Sequence, residues 1–300
     1  MTTSSGLLLV DKPGGVTSHD VVNLARRAIG EKRVGHAGTL DPMATGLLVL
    51  GVGPATRLLR FAQSGVKRYQ GVVGLGTATD TLDADGVVVE ERPVPELSID
   101  DVAAVASGML GAQSQVPPMV SAVKVGGERL YKLAREGVEV ERAPREITVS
   151  AFAVAVGDTP DEWRFDVECS TGTYVRVLLS DLARALGTVG HLSALRRVAS
   201  GRFRVEDAVT VESLAQAGAS ALKAPGEFVA DLEAVVLGAS EERRVRQGQR
   251  VVLEGAWRGT QVAAWNERGA LVGVMARRGD EWQPEIVLPD EGDAAHRLSP

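Results

Sequence analysis

A polar segment with three glycines, GHAGTLDPMATG at 35–46, runs directly into one of the longest apolar runs in the chain, LLVLGV at 47–52. A polar loop followed at once by a buried strand has to be held in place from several sides. Glycine at 35, 38 and 46 lets the backbone take positive φ and come close to a bulky ligand. Proline directly after Asp41 sets a turn, so an Asp-Pro turn is the plain reading of that residue. The polarity of the loop, with His36 nearby, points further, because a carboxylate can act as a covalent nucleophile or proton carrier without metal or cofactor.

Several function classes fall away on composition. Three hundred residues, 44% hydrophobic and 24% charged, suit a folded chain of about two domains. The apolar runs stop at glycine or proline far short of the roughly 20 residues that a membrane helix needs. The apolar run at 7–10 is too short for the core of a signal peptide, so a cytoplasmic location and no membrane association are expected. Cys169 is the single cysteine, and His19, His36, His191 and His296 lack the spacing of a helical metal pair, so no metal is expected. There is no Gly-Lys dipeptide for a Walker A loop, and Gly74-Leu75-Gly76 lacks the third glycine of a dinucleotide fingerprint, so no cofactor is expected.

The net charge is −6, yet it is unevenly spread. Residues 1–70 hold nine Lys/Arg against four Asp/Glu, and 170–204 hold six against one, whereas 71–116 hold one against eight. A fold that joins the two basic segments would make a cationic face on an otherwise acidic protein, as a reader of phosphate backbones requires. Solvated helix faces are the competing explanation.

Along the chain, residues 6–10 read as a strand, and Thr17 or Ser18 caps a helix with Val21, Leu24, Ala25 and Ala28 on one face and Gly30 past its end. The 35–46 segment reads as a loop, followed by the 47–52 strand and a short helix at 56–63. Residues 67–76 read as a strand, in a hairpin with 87–89. Ser98 and Asp101 form a capping box for a helix running to 110. Residues 111–146, with a helical pattern at 130–135, resemble a lobe more than sheet core. Alternation at 147–155 and 163–169 predicts an antiparallel pair, and a helix carrying Val175, Leu178, Leu179, Leu182 and Leu186 follows. Strands in hairpins mixed with helices indicate an α+β fold. From 238 to 288, short runs (RVRQGQRVVL, TQVAAWN, ALVGVMARR, EIVLP) suggest a small β-barrel, and 290–300 a disordered tail.

Four ordered blocks, GHAGTLDPMATGLLVLGVGPATRL, KRYQGVVGLGTATDTLDADG, PPMVSAVKVGGERLYKLAREG and CSTGTYVRVLLSDLARALGTVGHLSALRRVASGRF, resemble the TruB family of pseudouridine synthases. The resemblance covers roughly 6–205. It implies a catalytic domain at 1–230 around a mixed, largely antiparallel sheet, with 117–146 as an RNA-contacting loop or lobe. A small PUA-like RNA-binding barrel is implied at 231–289, where Arg243, Arg244, Arg246 and Arg250 could form a basic stripe. The implied reaction isomerises uridine 55 in the T-loop of tRNA after the base is flipped out of its stack.

The family's catalytic aspartate matches Asp41, its active-site tyrosine Tyr174, and Arg176 the arginine that orients the carboxylate. Substrate contacts would fall to His36, to Tyr69 as the stacking aromatic, to Leu195 in the uracil pocket, and to Arg196 and Arg197 at phosphates. Each also has an ordinary role: half-buried strand residue for Tyr69, helix entrance for Tyr174, helix packing for Leu195, surface charge for the arginines. Thr79, Asp80, Thr81 and Asp83 read as turn and cap residues. The implied partner is tRNA alone, with a monomeric protein needing no protein partner. Three rivals remain at this stage: a non-catalytic tRNA-folding factor, a glycoside hydrolase using paired carboxylates, and an RNA-guided relative.

Overall fold

The run GLLLVDK forms the strand Gly6–Lys12, buried on both faces: Leu8 and Val10 face one core, Leu7 and Leu9 another. That is the period-two alternation of a strand covered on both sides. The structure is a computed structural model that describes residues 4–290 apart from 121–123, 126–127, 130–137 and 139. The helix Ser18–Ile29 begins at a reciprocal cap between Thr17 and Asp20 and ends at Gly30 with φ 75°, as its start and stop signals require.

Among the described residues, one ten-stranded mixed sheet organises the chain. Its order is Val209–Thr210, Gly6–Lys12, Thr45–Val52, Gly190–Ser200, Lys67–Leu75, Glu162–Cys169, Arg145–Val156 and Gly111–Gln115, with Phe203–Arg204 and Val34–Ala37 attached at the side. Only the first and third neighbour pairs in that order are parallel, so the sheet is largely antiparallel and the α+β reading holds. The helices Val175–Ala185 and Ile99–Gly108 bury Leu178, Leu179, Leu182, Val102 and Ala106 against Val73, Val149, Val167 and Leu192.

The middle of the sheet is its weak point. Thr45–Val52 and Gly190–Ser200 pair at only two positions, Arg196 opposite Thr45 and Arg197 opposite Gly46. Gly46 makes even that contact possible: it sits at φ +97°, and a Cβ there would lie 2.3 Å from the Arg197 carbonyl oxygen. Beyond these two pairs the sheet has no ladder between its halves, and the 38–44 loop stands over that gap.

Beyond residue 230, Glu233–Leu237, Gln261–Asn266, Leu271–Arg278 and Glu281–Val287 form a separate four-stranded sheet with the helix Ala239–Arg246. Val245, Val262, Met275 and Trp282 give it a core of its own. Its other face shares a second core with the large sheet, where Val274, Ile286 and Leu288 pack with Leu47, Val49 and Phe228.

Several local expectations change. His36 stands on the strand Val34–Ala37, paired with Leu50 of Thr45–Val52, so the open loop shrinks to 38–44. Leu195 belongs to a strand, Gly190–Ser200, because LSALRR fills the central gap of a sheet that sequence periodicity does not reveal. Gly111–Gln115 is an edge strand rather than part of a lobe, and Val88–Glu91 pairs with Thr77–Thr79 rather than with the long 67–75 strand. The arginines at 243–246 are helical, the capped exposed helix outcompeting a strand. The helix expected at 130–135 and the tail at 291–300 lie outside the described residues.

Candidate active site

Asp41 is held from every side. Ser18 Oγ both accepts from Leu40 N (2.9 Å) and donates to Leu40 O (3.0 Å). Lys12, fully buried, gives its ammonium to the carbonyls of Pro13, Val16 and Pro42 at 2.9, 2.6 and 3.1 Å. Burial lowers its pKa to about 8. Arg197 donates to the carbonyls of Leu47 (2.8 Å) and Gly38 (3.0 Å). A loop whose own backbone makes few ladder bonds thereby has its carbonyls satisfied by two buried cations.

The carboxylate meets Arg176, whose Nε lies 3.0 Å from Asp41 Oδ2. Arg176 is 3% exposed, and its remaining donors reach Thr81 O (2.7 Å), Val120 O (2.9 Å) and Asp83 Oδ2 (3.3 Å). A buried guanidinium with four partners cannot swing away, so it fixes the direction of the Asp41 carboxylate. Burial pushes the Asp41 carboxyl above its ordinary value, Arg176 pulls it down, and Asp83 and Asp85 push it up again. The side chain of Asp41 is still 36% exposed and faces the cleft. The result is an oriented acid open to a ligand.

Tyr174 stands at the entrance of Val175–Ala185. Its backbone N donates to Gln115 Oε1 (2.8 Å) and its carbonyl accepts from Gln115 Nε2 (3.1 Å). Gln115, on an edge strand, thus does the capping that Tyr174 cannot do with its own side chain. Tyr69, on Lys67–Leu75, is 8% exposed, and burial raises its hydroxyl pKa. Asp41, Tyr69, Tyr174, Arg176 and Leu195 line one cleft of about 290 Å³ together with Lys67, Thr171 and Arg197. The volume and its mixed lining suit a flat heterocycle over an aromatic ring.

The remaining expected residues lie at its margins. His36 is not in the lining; it sits two residues before Gly38, half-buried, its pKa lowered by burial, with Nδ1 buried and lacking a hydrogen-bond partner. Arg196 forms a bidentate pair with Asp11 at 2.7 and 3.0 Å on the surface beside the cleft. Arg197 is only 1% exposed; it is a brace for the 38–47 backbone, a role that a sequence motif of two adjacent arginines does not disclose.

Four residues of the site escaped sequence reasoning. Lys12 reads as part of a Lys-Pro-Gly turn, Gln115 as lobe, and Lys67 as the polar start of a strand. Asp83, read as a turn residue, does bond Thr81 Oγ1 and Asp85 N, but it also faces Arg176. A Thr/Asp-rich turn beside an arginine-bearing helix is the one signal that could have found it. Two of the four arginines of the Arg243–Arg250 stripe are compensated, Arg246 by Glu242 at 2.7 Å and Arg250 by Glu281 at 3.5 Å.

Comparison with known proteins covers nearly the whole chain. Residues 26–175 match the TruB family pseudouridylate synthase N-terminal domain, and 176–238 match the tRNA pseudouridylate synthase B C-terminal domain. The tRNA pseudouridine synthase B of Heliobacterium modesticaldum is 42% identical over 291 residues, 94% of this chain and 95% of its own length. That of Thermobifida fusca is 43% identical over 292 residues, covering 95% and 99%. Among solved structures, a Cbf5–Nop10–Gar1 complex matches 98% of this chain and 88% of its own with a TM-score of 0.73 at 25% identity.

Proposed function

The chain belongs to the TruB family of pseudouridylate synthases and converts uridine 55 to pseudouridine in the T-loop of tRNA, and we propose that Asp41 is the group that makes the conversion possible. The observation that carries this reading is the pairing of a cleft-facing Asp41 with a fully engaged Arg176 at 3.0 Å, beside Tyr69 and Leu195. The N1–C1′ bond breaks, the uracil turns, and the C5–C1′ bond forms; the proton lost from C5 is matched by one gained at N1. Asp41 forms and releases the covalent adduct that holds one fragment while the other turns. Arg176 keeps the carboxylate ionised and aimed. Tyr69 stacks on the flipped base, Leu195 closes the apolar side, and Tyr174 carries the C5 proton. His36 meets the RNA beside the gap left by the base. Flipping costs a few kcal/mol, repaid by stacking.

Arg196, at the surface, contacts phosphate, whereas Arg197 acts through the loop it braces. The catalytic unit is 1–230, with 117–146 as an RNA-contacting lobe and 231–289 as a PUA-like RNA-binding unit; the separate core of the latter supports this division. The enzyme works as a cytoplasmic monomer without a protein partner, and no helix among the described residues is long and apolar enough to cross a membrane.

The test is unmodified tRNA transcript with the parent protein and with Asp41→Asn, pseudouridine being mapped chemically. Asparagine is nearly isosteric but cannot form the adduct, so binding should survive while single-turnover conversion is lost. Conversion within tenfold of the parent, about 1.4 kcal/mol in barrier, would show that another group does the covalent step. Conversion outside the T-loop would reassign the substrate position.

A further inference from the structure

Lys67 is a buried cation for which the isomerisation above has no use. It is 8% exposed and lines the same cleft as Asp41. Its Nζ donates to Thr171 Oγ1 at 3.0 Å, and no carboxylate among the described residues pairs with it. A second cation lies alongside. A Cβ built on Gly38, at φ +87°, would come 3.3 Å from Lys67 Nζ and 3.5 Å from Arg197 Nη1, so the two cations pack against the same side of this glycine. Arg197 spends its hydrogen bonds on carbonyls, which satisfy its donors but leave its charge uncancelled. Asp41 and Asp83 are both engaged by Arg176 on the far side of the cleft. Two neighbouring cations out of water and without a counter-charge form a costly arrangement that an incoming anion relieves.

Resting on the tRNA reading, we propose that Lys67, with Thr171 and the field of Arg197, forms a seat for a single phosphodiester of the RNA strand next to the flipped uridine. The anion fits by charge, by the hydroxyl beside the ammonium, and by the cleft that Lys67, Thr171 and Arg197 line together. Holding the strand there fixes the sugar relative to Asp41, which is the element that must stay still while the base turns. The cost of the empty seat is visible in Lys67 itself: burial, with Arg197 adding to it, lowers its pKa to about 8. A bound phosphate raises it again. Affinity for RNA should therefore be fully developed below pH 8 and fall as pH rises past it.

The experiment measures binding of unmodified tRNA transcript to full-length protein carrying Asp41→Asn, which removes turnover, across a salt series and between pH 6.5 and 9.5. Lys67→Met is expected to lose roughly ten- to a hundredfold in affinity, the range of a charge-assisted hydrogen bond. Its log-log salt slope should shrink by about 0.7–0.9, the value of one phosphate contact. Lys67→Arg should restore the slope and shrink the affinity step near pH 8 to what Lys12, whose pKa burial also lowers to about 8, contributes in both proteins, and Thr171→Val should weaken binding less than Lys67→Met. Burial pushes the Cys169 thiol up to about 11 and the Tyr69 hydroxyl upward, so neither of these neighbours of Lys67 mimics the step. A folded Lys67→Met with an unchanged slope overturns the phosphate seat, and a lowered conversion rate for Lys67→Met in protein that keeps Asp41 would then assign Lys67 to proton transfer instead. If Lys67→Met does not fold, an identical pH dependence in the parent and in Lys67→Arg overturns it equally. A parent protein that makes no pseudouridine defeats the tRNA reading itself, an outcome distinct from all of these.

Discussion

Replacing Arg176 by methionine removes one side chain and strands four partners. Asp83, whose side chain is 6% exposed, loses the guanidinium nitrogen 3.3 Å away and becomes a buried, unpaired carboxylate. Breaking a buried pair from one side costs about 3–5 kcal/mol. The carbonyls of Thr81 and Val120 lose donors at 2.7 and 2.9 Å, which adds to this where water cannot replace them. Asp41 contributes little to the stability loss, since its side chain is 36% exposed and solvent screens it. A loss of about 4 kcal/mol is large against a total of roughly 5–15 kcal/mol. Equilibrium urea unfolding of the parent, Arg176→Met, Asp83→Asn and the double variant measures it as a double-mutant cycle. Neutralising Asp83 in the Arg176→Met background should recover more than about 1 kcal/mol, because the stranded charge is gone. In the same variant, single-turnover conversion has its acid limb at higher pH: conversion needs the carboxylate, present above the Asp41 pKa, and removing Arg176 takes away the largest influence that lowers that pKa. Arg176→Met within 1 kcal/mol of the parent, or no recovery on Asp83→Asn, would refute the idea that one arginine anchors both carboxylates.

Two further outcomes follow from single positions. Tyr69→Phe keeps the ring and should retain much of the conversion rate, whereas Tyr69→Leu should lose about 1–3 kcal/mol of stacking; equal, near-complete losses in single-turnover assays would transfer the role to the hydroxyl. Gly46→Ala adds a Cβ 2.3 Å from the Arg197 carbonyl at φ +97°, so it should lower stability by more than about 1 kcal/mol in a thermal or urea melt, and a parent-like melt would mean that the two sheet halves can move apart freely.

Much of the local architecture was legible in the amino-acid order, because the forces behind it act over a few residues. A cap at Thr17 or Ser18 and the Ser98–Asp101 box placed two helix starts, and alternation at 147–155 and 163–169 placed an antiparallel pair. The polar loop with its proline-flanked Asp41 marked a candidate carboxylate, and the TruB-like blocks named Tyr69, Tyr174 and Arg176, which the structure gathers with it in one cleft. What stayed hidden depends on partners 30 or more residues away. LSALRR carries no clear period, since its register shifts between Leu192 and Ala194, and only the pairing with Lys67–Leu75 makes it a strand. Whether an arginine stays near the surface or braces a loop was decided by burial: Arg196 faces out to Asp11 while its neighbour Arg197 turns inward to Gly38 and Leu47, the two-residue period of the strand putting them on opposite sides. Lys12, Lys67 and Asp83 gained their meaning only when the chain brought charged groups together out of water. Short-range order is written in spacing, but the sign and cost of a buried charge belong to its surroundings, and those exist only in the folded chain.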